Sequence, residues 1–152
     1  MNQVVFTPIA HVVSPVTEAV DEKWGTVVAR VVLLPEYAGG LDGLDGFSHA
    51  IVVTHLHKAK YERARHLKRH PRDLPTMPLL GIFAQRAKDR PNPIGITAVR
   101  VLAVGDGFLE VQGLDAIDGT PVLDIKPYFP RYDRVEAPRT PPWVEQLMAG
   151  YF

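Results

Sequence analysis

Residues Ile94–Leu114 read IGITAVRVLAVGDGFLEVQGL, two runs rich in β-branched residues on either side of Gly105-Asp106-Gly107. A Gly-Asp-Gly turn between such runs is a hairpin signal. Similar runs recur on both sides of it. Val4–Val13 is one, interrupted by Pro8, which restricts it to an edge or a bulge. Others are GTVVARVVLL from Gly25, SHAIVVTHLH from Ser48, LLGIFA from Leu79, and a seventh after the turn in DAIDGTPVLDIKPY from Asp115. Many short strands punctuated by Gly and Pro predict a mainly all-β fold. The expectation is a closed or nearly closed antiparallel barrel of about six to seven strands, with one or two short peripheral helices. One helix is expected over 57–70, which lacks Gly, Pro and β-branched residues and stops before Pro71. A second is expected over 142–149, after Thr140 and a Pro pair, with Gly150 closing it.

The chain has 152 residues, formal net charge zero and no cysteine. One domain is the natural reading, and disulfides and thiolate metal sites are excluded. The first residues lack a basic stretch followed by a long apolar run, and no segment has the composition of a membrane helix. The expectation is a soluble, cytoplasmic protein. His55 and His57 can share a strand face, but no third ligand stands at a metal-binding spacing, so no metal is expected.

Between the two apolar runs of Gly81–Leu102 lie Arg86, Lys88, Asp89, Arg90, Pro91, Asn92 and Pro93. The prolines fix their own φ and push Arg90 and Asn92 into extended conformations, which makes a stiff loop. Arg86 and Arg90 bring forked donors suited to carboxylate or phosphate. A solvated turn with surface charge fits the same composition. Lys58, Lys60, Arg63, Arg65, Lys68, Arg69 and Arg72 are seven of the chain's 17 cations. They suit a phosphate backbone, with Arg65 and Arg69 as contact residues, or simply a solvated face. Period-two alternation places Val122, Asp124 and Lys126 on one strand face and Leu123, Ile125 and Pro127 on the other.

Three of these segments together resemble the TrmO (TsaA-like) family. GIFAQRAKDRPNPIG is similar to that family's signature, GVFATRS-x-x-RPNPIG. LDGLDGFSHAIVVTHLH and LDAIDGTPVLDIKPY are similar to its upstream and downstream segments, in the same order. The resemblance implies a barrel domain over 1–132, followed by an arm and short helix over 133–152. It implies S-adenosylmethionine as cofactor, a homodimer, and methylation of N6 of threonylcarbamoyladenosine-37 in tRNA. It places His57, Lys58, Arg86, Ile96, Leu114, Asp115 and Asp118 at the cofactor. Asn92, Lys126 and Tyr128 fall at the reacting acceptor, with Arg90 beside them. Family members carry a Pro-Arg-Gln loop after the first strand, and Ser14–Val28 lacks it. A small-molecule acceptor, or a non-catalytic barrel that binds S-adenosylmethionine or RNA, is the competing reading.

Overall fold

The computed structural model describes all 152 residues. Six strands form the barrel: β1 (Ala10–Val13), β2 (Val28–Leu33), β3 (His49–His55), β6 (Ile94–Gly105), β7 (Phe108–Gln112) and β8 (Pro121–Pro127). They close in the order β1-β2-β7-β6-β3-β8. Each neighbouring pair is antiparallel. The hairpin read from the sequence is β6–β7, with Gly107 at φ 74° in its turn, a conformation that favours glycine.

Alternation along the strands sends Ala10, Val12, Ala29, Val31, Ala50, Val52, Val99, Leu109, Val111 and Val122 into one core. A six-strand barrel has a narrow interior, which is why alanine and valine dominate it and larger residues are few. Leu114 plugs this core from the segment after β7.

β8 departs from simple alternation. Val53 pairs with Asp124 and Thr54 with Val122, so Leu123 is the extra residue of a bulge. The bulge flips the faces. Val122 and Ile125 both meet the core, while Asp124 and Lys126 pair with each other at 2.8 Å. The expectation that Val122, Asp124 and Lys126 share a face is thereby overturned.

The long connection between β3 and β6 is folded apart from the barrel. It holds α1 (Arg63–His66), β4 (Lys68–Arg69) and β5 (Leu80–Gly81), the two strands forming a separate ribbon. The helix expected over 57–70 is therefore a single turn. Its sequence has favourable propensity but no apolar stripe, and propensity alone does not sustain a helix of this length in water. Tertiary pairing takes Lys68 and Arg69 instead, against Gly81 and Leu80. LLGIFA likewise contributes only β5 and a turn, Ile82–Ala84, to this ribbon and no barrel strand. The chain finishes with α2 (Pro130–Asp133) and α3 (Pro142–Met148), the latter as expected. No helix is long and apolar enough to cross a membrane.

Candidate active site

β6 pairs with β3 along its first half but meets β7 only from Arg100 onward. Residues 94–99 therefore have a strand on one edge only. The candidate site is built on the other edge. Arg86 donates from Nη2 to the Ile96 carbonyl at 2.8 Å. The next residue, Thr97, donates its hydroxyl to Asp115 Oδ1. The second carboxylate oxygen of Asp115 accepts from the Tyr151 phenol at 2.7 Å. A guanidinium and a carboxylate thus approach consecutive residues of one strand edge.

The segment carrying Asp115 is held at both ends. Leu114 is fully buried in the core. Asp118 Oδ1 accepts from the Ser14 backbone N–H at 3.0 Å, and Thr120 donates to the Ile117 carbonyl at 2.7 Å. Asp118 is thus spent on fastening its turn to the end of β1. Among the residues expected at the cofactor, Arg86 bonds directly to Ile96, Asp115 bonds to the adjacent Thr97, and Leu114 and Asp118 anchor the segment that carries Asp115.

His57 and Lys58 lie at the same end of the barrel, just past β3. Here His55 pairs with Ile94 and the Leu56 N–H bonds to the Pro93 carbonyl at 2.8 Å. Burial, then the nearby Lys58 and His55, hold the His57 pKa below the ordinary 6.5, so the imidazole is neutral at neutral pH.

The loop between Gln85 and Pro93 is braced from within. Buried Gln85 donates to the carbonyls of Arg69 and Leu80 at 2.9 and 3.0 Å. Arg90 donates to the Gln85 carbonyl at 2.9 Å. Asp89 accepts from the Lys60 N–H at 2.8 Å and from Lys88. Burial pushes the Asp89 carboxyl up, but those hydrogen bonds outweigh it and leave the pKa lowered. Arg69 ion-pairs with Asp73 at 3.0 Å and Asp89 at 3.7 Å, with only 12% of its side chain exposed. The Arg69 guanidinium, expected at a phosphate, lies between these two carboxylates. Arg65 remains well exposed beside Glu62.

The acceptor residues are divided. Asn92 lies in the braced loop, next to the Pro93 carbonyl that Leu56 uses. Tyr128 lies at the opposite end of β3, its N–H on the His49 carbonyl at 3.1 Å and its ring edge-on to His49. The six steps from His49 to His55 span about 20 Å of strand. Tyr128 opens onto a groove of about 630 Å³ that also takes in Phe47, Phe129, Arg131 and Tyr132. Lys126 lies on the outer face opposite Ile51. Sequence reasoning did not single out Thr97, Gln85 or Tyr151. Nothing in their local pattern marks them, because their partners lie 5 to 36 residues away.

A closed six-strand barrel with an arginine bound at Ile96 and an aspartate bound at Thr97, where β6 lacks a second neighbour, is the class that fold and site define. Its family follows from comparison with known proteins. The family described as tRNA-methyltransferase O N-terminal domain matches residues 20–134, and the chain belongs to it. The S-adenosyl-L-methionine-binding protein of Archaeoglobus fulgidus is 35% identical over 135 residues, covering 86% of this chain and 94% of that protein. The tRNA (adenine(37)-N6)-methyltransferase of Mus musculus is 39% identical over 99 residues, 65% of this chain and 22% of the mouse protein. The crystal structure of TrmO from Pseudomonas aeruginosa superposes with a TM-score of 0.77 at 31% identity. That alignment covers 94% of this chain, which spans 62% of the length of that TrmO chain.

Proposed function

We propose that the protein is an S-adenosylmethionine-dependent methyltransferase that modifies the N6 amine of an adenine in tRNA, acting as a dimer in the cytoplasm. The observation that carries this reading is the juxtaposition of Arg86 and Asp115 on Ile96 and Thr97. Their charges are complementary to a cofactor with a carboxylate, an ammonium and a ribose diol, so the donor set fits. S-adenosylmethionine supplies a methyl group whose bond to sulfur breaks, the pair going to sulfur, as the bond to the acceptor nitrogen forms.

The chain's own residues do the rest by positioning. Arg86 offers its remaining donors to the carboxylate end. Neutral His57 spares the sulfonium a like charge. Asn92, held between two prolines, presents an amide oxygen to the adenine amine and supports the positive charge that grows there. The amine must then lose a proton. Lys126 cannot accept it, because the hydrogen bond and charge of Asp124 raise its pKa and keep it protonated. Its ammonium suits an RNA phosphate, and the methylated nitrogen, made acidic by its positive charge, loses the proton to solvent.

The strand length between Asn92 and Tyr128 supports the dimer. One subunit holds these two residues too far apart to touch one base, and a second copy supplies Tyr128 across an interface. The exposed outer residues Ile94, Ile96 and Phe83 beside the open edge provide an apolar surface for that copy. The decisive experiment measures transfer of labelled methyl from S-adenosylmethionine into bulk tRNA and into a small-metabolite pool. Label in tRNA is expected. Label confined to metabolites favours the small-molecule acceptor, and cofactor binding with no transfer favours a non-catalytic barrel.

A further inference from the structure

Asp115 is the acidic half of the candidate site, yet both of its oxygens are occupied from within the chain. The two donors differ in kind. Thr97 is buried on a barrel strand. Tyr151 belongs to a short segment laid against the loop before β2. That segment is held by two backbone bonds, Lys23 N–H to the Gly150 carbonyl at 2.9 Å and Trp24 N–H to the Tyr151 carbonyl at 2.8 Å. Gly150 takes φ 75° to turn the chain inward. The Phe152 backbone lies so close to Gly25 that a Cβ there would stand 2.7 Å from it. Above the Tyr151 ring sits the Arg72 guanidinium, 5.9 Å from its centre, itself 3.7 Å from Asp21. Next to it, Phe152 is largely exposed and meets the ring edge-on.

We propose that Tyr151 is a tethered occupant of the cofactor's seat on Asp115, and that the segment 149–152 swings away when a hydrogen-bond donor of S-adenosylmethionine takes its place. The proposal rests on the cofactor reading above. A phenol that donates to a carboxylate satisfies it as a ligand hydroxyl or ammonium does. The phenol occupies one approach to Oδ2, and a ligand donor that takes that approach displaces it. The geometry explains why the phenol can be displaced. Its hold is one side-chain bond, two backbone bonds, the Arg72 stack and the contact of Phe152 with Gly25, with no part in the barrel ladder. Burial, followed by the charge of Asp115, raises the Tyr151 pKa, so the phenol stays a donor throughout the physiological range.

Two variants test the competition from different directions. Tyr151→Phe removes the competing hydroxyl and keeps the ring. Gly25→Ala displaces the segment at Phe152 and leaves both Tyr151 and Asp115 unaltered. Isothermal titration with S-adenosylmethionine is expected to show tighter binding in both, by about tenfold for a freed hydrogen bond to a charged acceptor. Titrations with adenosine and with methionine identify which end of the cofactor gains, and a gain with either supports the proposal. Hydrogen exchange of wild-type protein is expected to show the Trp24 amide protected less than the Val52 amide, and to lose protection further as cofactor is added. Unchanged or weaker binding in both variants overturns the proposal and leaves the cofactor reading intact. Exchange at Trp24 as slow as at Val52, and unaltered by cofactor, overturns it too. Absence of cofactor binding in wild type and variants alike overturns the cofactor reading, and this proposal with it.

Discussion

Arg86 spends one donor on the Ile96 carbonyl, while Lys88, two residues on, spends its ammonium on Asp89. That difference sets a first prediction. Arg86→Ala is expected to weaken S-adenosylmethionine binding by roughly tenfold to a hundredfold, the range for hydrogen bonds to a charged group. Lys88→Ala is expected to leave it within about twofold, because an exposed ion pair contributes little. Calorimetric titration of the two variants is the check, and equal losses would reject Arg86 as a cofactor residue. His57 sets the second. Its pKa lies below 6.5, so the ring gains its proton only as pH falls below that value. Binding of a cationic cofactor should be flat above that point and weaken in more acid solution. Stability follows the same sign. Between the two pKa values the unfolded chain binds more protons at this site than the folded one, so acid favours unfolding. A His57→Gln variant should lose the acid limb of the binding curve, and retention of that limb would assign it to another group.

At the scale of the element, the barrel and the loop it carries respond to different changes. Leu109 is fully buried in β7 among small core residues. Its truncation to Ala leaves a cavity the narrow barrel cannot close, at a cost of about 2–5 kcal/mol by denaturant unfolding. The loop 85–93 is held by Gln85, whose amide satisfies two carbonyls of the β4–β5 ribbon. Gln85→Leu should cost about 1–3 kcal/mol, since it strands buried acceptors. It should also weaken cofactor binding, because Arg86 is the next residue. A loss of stability with unchanged binding would separate the loop's bracing from the site. The loop's stiffness was legible in Pro91 and Pro93. Its bracing was not, because Gln85 reads as an ordinary polar residue until the ribbon's carbonyls are brought to it.

For the whole molecule, light scattering at micromolar concentration is expected to give twice the 16.9 kDa chain mass. A monomeric mass would remove the second Tyr128 from the mechanism. The same assembly has to meet RNA. The exposed Arg63 and Arg65 remain available to phosphate, whereas Arg69 is committed within its loop. Arg63→Glu with Arg65→Glu should weaken tRNA binding and flatten its dependence on salt, because fewer counterions are released. Cofactor binding should be unaltered in the same protein. Full tRNA affinity in the double variant would move the RNA-binding face elsewhere.

The amino-acid sequence by itself determined the barrel, the β6–β7 hairpin and α3. Alternation and turn chemistry are local, and a strand with one apolar face has few alternatives to a sheet that buries it. Tertiary structure decided what depended on distant partners. It replaced a helix over 57–70 by one turn and a strand, because Lys68 and Arg69 pair with residues 80 and 81. It inserted a bulge at Leu123 that turned Asp124 and Lys126 outward. It set Tyr128 at one end of β3 and His57 past the other, and it brought Tyr151 onto Asp115 across 36 residues. Each of these outcomes follows from pairing, burial or charge shared between separated segments, which no local pattern records.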